Sequence, residues 1–388
     1  MKPREPISPD TLRVLLVSPL PPPSGGIVRW TVLLLEWMQM QPGVLMRTVD
    51  ISPRWRALED LKLWKRVVGG MLQGMRDALR TSLQIAIFRP RLLHLNTSAQ
   101  LRGPWDTVIL AVAAMVRVRS VYHIRMGRLP EVMARDGWEW WGLRGALKLA
   151  DRVVVLDKES EEAMKRFLPA ERVLRLPNAV TAPLPGVEYS PSDSRTVLYV
   201  GHVIPTKGMT ELMEAWREVQ PLGWRLRLAG PGSATYQKDL LKIVGPNAGV
   251  EFLGDLSPEA AWKCMQAAEI FVLPSYTEGF PNVILEAMAA GKAIISTRVG
   301  AVPEILDVDS GEFCGLVIKP RDATVLAAAL RQLLSDPQLR ETLGRRAHTR
   351  VKRSYTTDVV FGRLVSLWNE VAGLKARTEE KSFSKTAE

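Results

Sequence analysis

Apolar residues in this chain fall into short unbroken runs set off by polar, glycine- and proline-bearing turns. Runs at 12–18, 92–95, 120–123, 150–156, 173–176, 197–200, 225–229, 250–253, 270–273, 293–297 and 315–319 are each four to seven residues long. Continuous rather than alternating hydrophobicity reads as strands covered on both faces, as in a parallel sheet. Between the runs, apolar residues recur at helical spacing, over 28–40, 55–88, 281–290, 323–334, 337–351 and 355–374. Strand and helix alternate through the whole length, which predicts an α/β fold. A stretch rich in Pro, Ser and Gly at 181–194 marks a division into two parts. Residues 1–11 and 375–388 are polar ends that read as disordered.

One stretch organises the rest: FVLPSYTEGFPNVILEAMAAGKAIISTRVGAVPE, residues 271–304. A strand closed by Pro274 leads through a polar turn to a helix opened by Pro281, a residue suited to the first helical position. Gly291 ends that helix where a left-handed residue is needed, and a second strand follows at 293–297. This β-loop-α-β unit puts its loop at the carboxyl edge of a parallel sheet, where open α/β sheets bind ligands. The unpaired N–H groups at the helix start, around Gly279, Phe280, Pro281 and Asn282, suit a phosphate. Glu278 precedes the helix and Glu286 lies about a turn and a half inside it. The pair is too widely spaced to share a proton, but suits the two ends of one ligand, a sugar and a ribose. Taken alone, the two carboxylates read better as a loop charge and a solvated helix residue.

Other turns carry related chemistry. Gly25 and Gly26, after the proline run PLPPP, precede a helix and permit close approach of a phosphate. Lys207 sits just before another helix, so its ammonium and the helix start attract the same anion.

The run E-G-F-P-N-V-I-L-E, followed by A-M-A-A-G-K-A-I-I-S-T and G-A-V-P-E-I, closely resembles the signature of the retaining glycosyltransferases of family 4. The resemblance extends from the first strand to about Trp368 and is strongest in the second half. It implies the GT-B fold, two facing Rossmann-like doubly wound domains with a cleft between them. The expected division is an acceptor-binding domain over 1–185, a nucleotide-sugar-binding domain over 186–354, and a terminal helix over 355–374 crossing back to the first domain. The implied activity is retaining transfer of a sugar from a nucleotide diphosphate sugar to an acceptor hydroxyl on a glycan or lipid-linked partner. In that reading Lys207 and the helix start neutralise the leaving diphosphate, Glu278 orients the donor sugar and Glu286 accepts from ribose. The resemblance also implies that the Gly25-Gly26 loop faces the diphosphate, that His123 contacts the donor sugar, and that the loops at Gly230 and Leu256 line the nucleotide side. Two positions depart from the family. His202 stands where members carry arginine in G-R-L-x-x-x-K-G, and Ala179 replaces glycine in the P-N-G-V turn. No nucleophile stands out, which agrees with the front-face transfer usually proposed for the family, and neither a metal nor another cofactor is expected.

Composition adds limits. Cys264 and Cys314 are the only cysteines and have no metal spacing, so a reducing compartment is expected. The longest apolar stretch, 108–116, is too short to span a bilayer and is stopped by Arg117. No signal-peptide pattern opens the chain, so the expectation is a cytoplasmic protein, at most peripheral on the inner membrane face. Residues 1–190 hold 28 Lys+Arg against 18 Asp+Glu, a net of +10 of the whole chain's +11. That asymmetry points to an anionic partner: a membrane surface, a phosphate-bearing acceptor or, least favoured, nucleic acid. Residues 55–88 interleave Trp, Leu and Met with Lys and Arg, a pattern that fits a membrane-interface helix and, equally, a core-facing helix with a basic outer face. A non-catalytic nucleotide-sugar or anionic-polymer binder, or a transferase to a soluble sugar, are the competing functions.

Overall fold

The computed structural model describes residues 11–22, 25–52, 63–98, 102–181, 194–220, 222–246 and 248–374, with the backbone alone for 63–67. The expected disordered ends and most of the Pro-rich linker lie outside these residues.

Two six-stranded sheets form, both wholly parallel. The first holds β1 (Leu12–Ser18), β2 (Val44–Asp50), β3 (Leu92–Thr97), β4 (Arg119–Ile124), β5 (Arg152–Val155) and β6 (Val173–Arg175) in the order β2-β1-β3-β4-β5-β6. The second holds β7 (Thr196–Val200), β8 (Arg225–Ala229), β9 (Val250–Gly254), β10 (Ile270–Leu273), β11 (Ala293–Thr297) and β12 (Leu316–Ile318) in the order β12-β11-β10-β7-β8-β9. The strand order of the second sheet reverses between β7 and β10. Connections from these neighbours leave on opposite faces and open a crevice at their carboxyl ends.

Successive residues of β1 face opposite sides, and each side has its own core. Leu15 and Val17 join residues of α2 (Leu63–Phe88), α3 (Gly103–Met115) and the helix Trp138–Leu149. Val14 and Leu16 join Trp30 and Leu34 of α1 (Gly26–Met38) and Phe361 and Trp368 of the helix Thr357–Val371. Covering both faces is what makes the strands continuously apolar. The last helix therefore packs on the first sheet, although it follows the second in sequence. Its entry is pinned where Val180 donates its N–H to Tyr355 O at 2.9 Å and Thr357 donates to Val180 O at 3.0 Å. The two crossings of the chain between the sheets run side by side at this point.

The structure departs from the sequence reading in four places. β2 was not foreseen: it is an edge strand, half-exposed, without a continuous apolar run. β3 runs on to Thr97, and β4 to Ile124, so His123 lies within a strand rather than at its end. Pro281 is the residue before the helix Asn282–Ala289, not its first position. The face of α2 that packs inward is also the less apolar one.

Candidate functional site

The loops after β7 and β10 meet at the crevice. After β7 the chain makes a short 3₁₀ turn, Pro205–Lys207, and Gly208 then takes a left-handed conformation (φ 70°) before the next helix. A Cβ on Gly208 would stand 2.1 Å from Pro274 O, so only glycine lets the two loops nest. Tyr276 donates its N–H to Thr206 O at 3.0 Å, and the Lys207 ammonium lies 2.6 Å from Glu278 Oε1. Both side chains are partly exposed, at 24% and 14%, so the pair faces the crevice while each group neutralises the other.

Gly300, at φ 50°, backs the Glu278 loop so closely that a Cβ would come within 2.3 Å of Glu278 O. Ala301 donates to Gly279 O at 2.9 Å. This explains the glycine of the G-A-V-P-E segment. Its glutamate, Glu304, reaches the first domain, accepting from Lys158 N at 2.7 Å and pairing with Arg175 at 2.8 Å. Loops from β7, β8 and β9 lie edge to edge: Gly201 donates to Ala229 O, Gly230 donates to Gly254 O, and a Cβ on Gly230 would meet Gly201 O at 2.0 Å. Leu256 follows, half-buried against the second core. The His202 ring is exposed, while its carbonyl accepts from the Tyr199 hydroxyl at 2.8 Å.

The first sheet supplies the opposing wall. Gly26 opens α1 so near the motif helix that its Cβ would be 3.7 Å from Asn282 Nδ2. One turn on, Arg29 Nη2 lies 3.3 Å from Glu286 Oε1. Burial raises the Glu286 carboxyl above its ordinary range, and the Arg29 charge opposes that rise. Asn178, of the P-N-A-V turn, donates to Phe280 O at 3.0 Å and to Asn282 Oδ1 at 2.7 Å. Gly127 meets Gly279 backbone to backbone; a Cβ on Gly127 would fall 2.1 Å from the Gly279 Cα. The two walls are therefore closed on each other.

His123 is elsewhere. It is wholly buried behind this wall, its ring edge-on to Trp30 at 5.2 Å. Its Nε2 faces Arg125 at 3.3 Å and its Nδ1 faces His94 at 3.3 Å. Trp368 donates to His94 Nδ1 at 2.9 Å. Trp and Arg can only donate, so each takes a lone pair of its neighbouring imidazole. That directs the His94 Nε2–H to Asn96 Oδ1, 3.2 Å away, and puts the His123 proton on Nδ1, so the two rings meet N–H to N–H without a hydrogen bond between them. Both rings are then neutral. Burial, more than the nearby charges, takes the His94 imidazole down to about 3 and His123 well below its usual value. Arg125 continues the chain, stacking over Trp30 at 4.3 Å and donating to Asn178 Oδ1 at 2.5 Å. A line of buried polar side chains thus extends from the terminal helix to the Phe280 loop.

Of the expected residues, Lys207, Glu278, Gly279, Phe280, Pro281, Asn282, Glu286 and Gly26 come together, with Gly25 capping α1 beside them. Gly230, Leu256 and His202 line the neighbouring strand ends. Arg29, Arg125 and Asn178 were missed. Only Asn178 left a signal, in the P-N-A-V turn; the arginines carry no local pattern that separates them from other basic residues.

The profile of the family described as Glycosyl transferases group 1 matches residues 184–350. An alpha-D-kanosaminyltransferase of Streptomyces kanamyceticus is 27% identical over 285 residues, 68% of this chain and 72% of that protein. A D-inositol 3-phosphate glycosyltransferase of Kineococcus radiotolerans is 31% identical over 280 residues, 64% of this chain and 63% of that protein. Among solved structures, sucrose-phosphate synthase from Thermosynechococcus elongatus superposes with a TM-score of 0.69 at 20% identity, covering 93% of this chain and 99% of that one. Anabaena HepE in complex with UDP gives a TM-score of 0.69 at 17% identity, covering 92% and 100%.

Proposed function

We infer that this chain belongs to the glycosyl transferases group 1, retaining nucleotide-sugar-dependent enzymes of the GT-B fold that serve glycan, polysaccharide and glycolipid assembly, and that its residues divide that work as follows. The observation that carries the assignment is the Lys207–Glu278 pair at the strand-order reversal of the second sheet, beside the start of the motif helix.

Without donor, Lys207 and Glu278 neutralise each other. A diphosphate entering the crevice competes for the Lys207 ammonium and takes the free N–H groups near Asn282. Glu278 is then released to accept from a hydroxyl of the donor sugar. The bond from the anomeric carbon to the phosphate oxygen breaks, and the acceptor oxygen bonds to that carbon on the same face. The departing phosphate oxygen takes the acceptor proton. Charge growing on the diphosphate meets donors already in place, the form of stabilisation that needs least reorganisation. In this reading Lys207 and the helix start supply the positive charge that a metal ion would otherwise provide, so chelators leave the rate unchanged. Glu286 accepts from the ribose hydroxyls. The glycine row at 201, 230 and 254, with the backbone near Leu256, borders the base, and His202 stands at the diphosphate end. His123 acts at one remove, holding Arg125 and hence Asn178 against the Phe280 loop. The division between domains falls near 185, with 186–354 carrying the donor.

Uracil is the first base to test, because HepE was solved with UDP. A thermal-shift screen of UDP-, GDP- and ADP-sugars should single out one donor, since only a ligand that binds the folded state raises its stability. Slow hydrolysis of that donor should be abolished in Glu278→Ala. Persistence of hydrolysis in that variant would refute the assignment, and absence of hydrolysis and binding with every donor would favour a non-catalytic module. The acceptor is proposed to be a glycan or lipid-linked sugar, with the protein peripheral on the inner membrane face. Among the described residues no helix is long and apolar enough to cross a membrane.

A further inference from the structure

The helix α2 is inside out. Its inward face mixes Gln73, Asp77 and Thr81 with Gly74, Ala78 and Ile85, all buried. Gln73 donates to Ser52 O at 3.0 Å, Asp77 pairs with Arg102 at 3.2 Å, and Thr81 donates to Asp77 O at 2.7 Å. The outward face carries Met71, Leu72, Met75, Leu79, Leu83 and Ile87, between 44% and 65% exposed. A surface helix ordinarily turns its apolar stripe to the core. Here steps of three and four residues lay that stripe along the outside for more than four turns. Contiguous apolar patches of roughly 300–600 Å² are already the largest that soluble monomers usually leave in water.

The neighbouring elements extend the same character. α2 packs on α3, which exposes Val108 and Met115, and α3 packs on the helix Trp138–Leu149. That helix exposes Trp138 and Trp141, with Arg144 stacked at 4.7 Å over the Trp141 ring. Arg76 and Arg80 border the α2 stripe on its solvent side. The one acid among the described side chains of α2, Asp77, is buried and already paired with Arg102 and Arg76. The outer surface is therefore apolar at its centre, basic at its margins and carries tryptophans at one end.

We propose that the outward face of α2 docks in the headgroup–acyl boundary of an anionic bilayer, with the exposed tryptophans and arginines of the adjoining helices at headgroup level. The inference rests on the peripheral reading above and names the surface and lipid chemistry for it. An apolar stripe lying parallel to the surface supplies insertion. Each basic residue near an anionic leaflet adds to the attraction, and salt weakens it. A second copy of this chain fits less well, because it would bring a surface of the same net charge against itself.

Cosedimentation with vesicles of phosphatidylcholine alone and of phosphatidylcholine mixed with phosphatidylglycerol tests this with the full chain. Wild type should pellet with the mixed vesicles only and be released by salt. Leu72→Asn combined with Leu79→Asn and Leu83→Asn should lower partitioning by at least about tenfold, as expected for losing a few buried apolar side chains. Arg80→Glu should weaken binding to the anionic vesicles. Hydrolysis of donor in solution should be unchanged in both variants, while Glu278→Ala should bind vesicles as wild type does, so docking and donor chemistry fail separately. Wild type left in the supernatant with both lipids would overturn the proposal, as would equal binding by the triple variant. A dimer by light scattering that the triple variant breaks, with no vesicle capture, would assign the face to self-association instead.

Discussion

At the scale of single residues the sharpest consequence lies in the Arg29–Glu286 contact. Burial raises the Glu286 carboxyl and Arg29 holds it down. Only the ionised form accepts hydrogen bonds from two ribose hydroxyls, so nucleoside diphosphate affinity should weaken as pH falls into that raised range. Arg29→Ala removes the opposing charge and should move this loss to higher pH. Glu286→Ala should cost roughly 1.5–3 kcal/mol of affinity, with Glu286→Gln costing less because an amide oxygen still accepts. Calorimetry from acid to neutral pH measures all three; coincident pH curves for wild type and Arg29→Ala would remove Arg29 from the site. The meeting of Glu278 and Lys207 at one crevice was legible because helix start, turn and charge are local. Arg29 was not, since its partner lies 257 positions along the chain and only the closing of two walls brings them together.

Among the elements, the terminal helix is held by more than apolar contact. The fully buried Trp368 gives its indole N–H to His94. Trp368→Ala should destabilise by about 3–5 kcal/mol. Trp368→Phe keeps most of the ring but leaves His94 Nδ1 without its donor, at about 1–3 kcal/mol. Denaturant unfolding should rank wild type above Phe above Ala; equal midpoints for wild type and Phe would mean that the hydrogen bond contributes nothing. Buried parallel strands such as β1, β10 and β11 could be read to the residue, because cover on both faces makes them apolar almost throughout, with polar residues near their ends. β2 escaped because an edge strand alternates and is half-wet. For α2, periodicity revealed a stripe but not its direction. A 3.6-residue repeat fixes which residues share a face, while the partners Ser52, buried, and Arg102, half-buried, decide which face turns inward.

For the whole molecule, closure is set by backbone. Gly127 and Gly279 touch with no side chain between them, so any Cβ on Gly127 acts as a wedge. Gly127→Ala should leave unfolding of each half nearly unchanged, increase the radius of gyration in the presence of donor, and lower kcat/KM by about tenfold or more, as a misplacement of about 1 Å does. Small-angle scattering and kinetics together check it, and a variant that is as compact and as active as wild type would show the contact to be incidental. The pairing of Val180 with Tyr355 and Thr357 has a practical sequel. Both strands of the connection pass through one spot, so residues 181–355 form a cassette with its ends together. A chimera that exchanges this cassette between relatives needs only two cuts, one beside the other. It would leave the terminal helix with its native partner sheet while changing which nucleotide sugar is accepted.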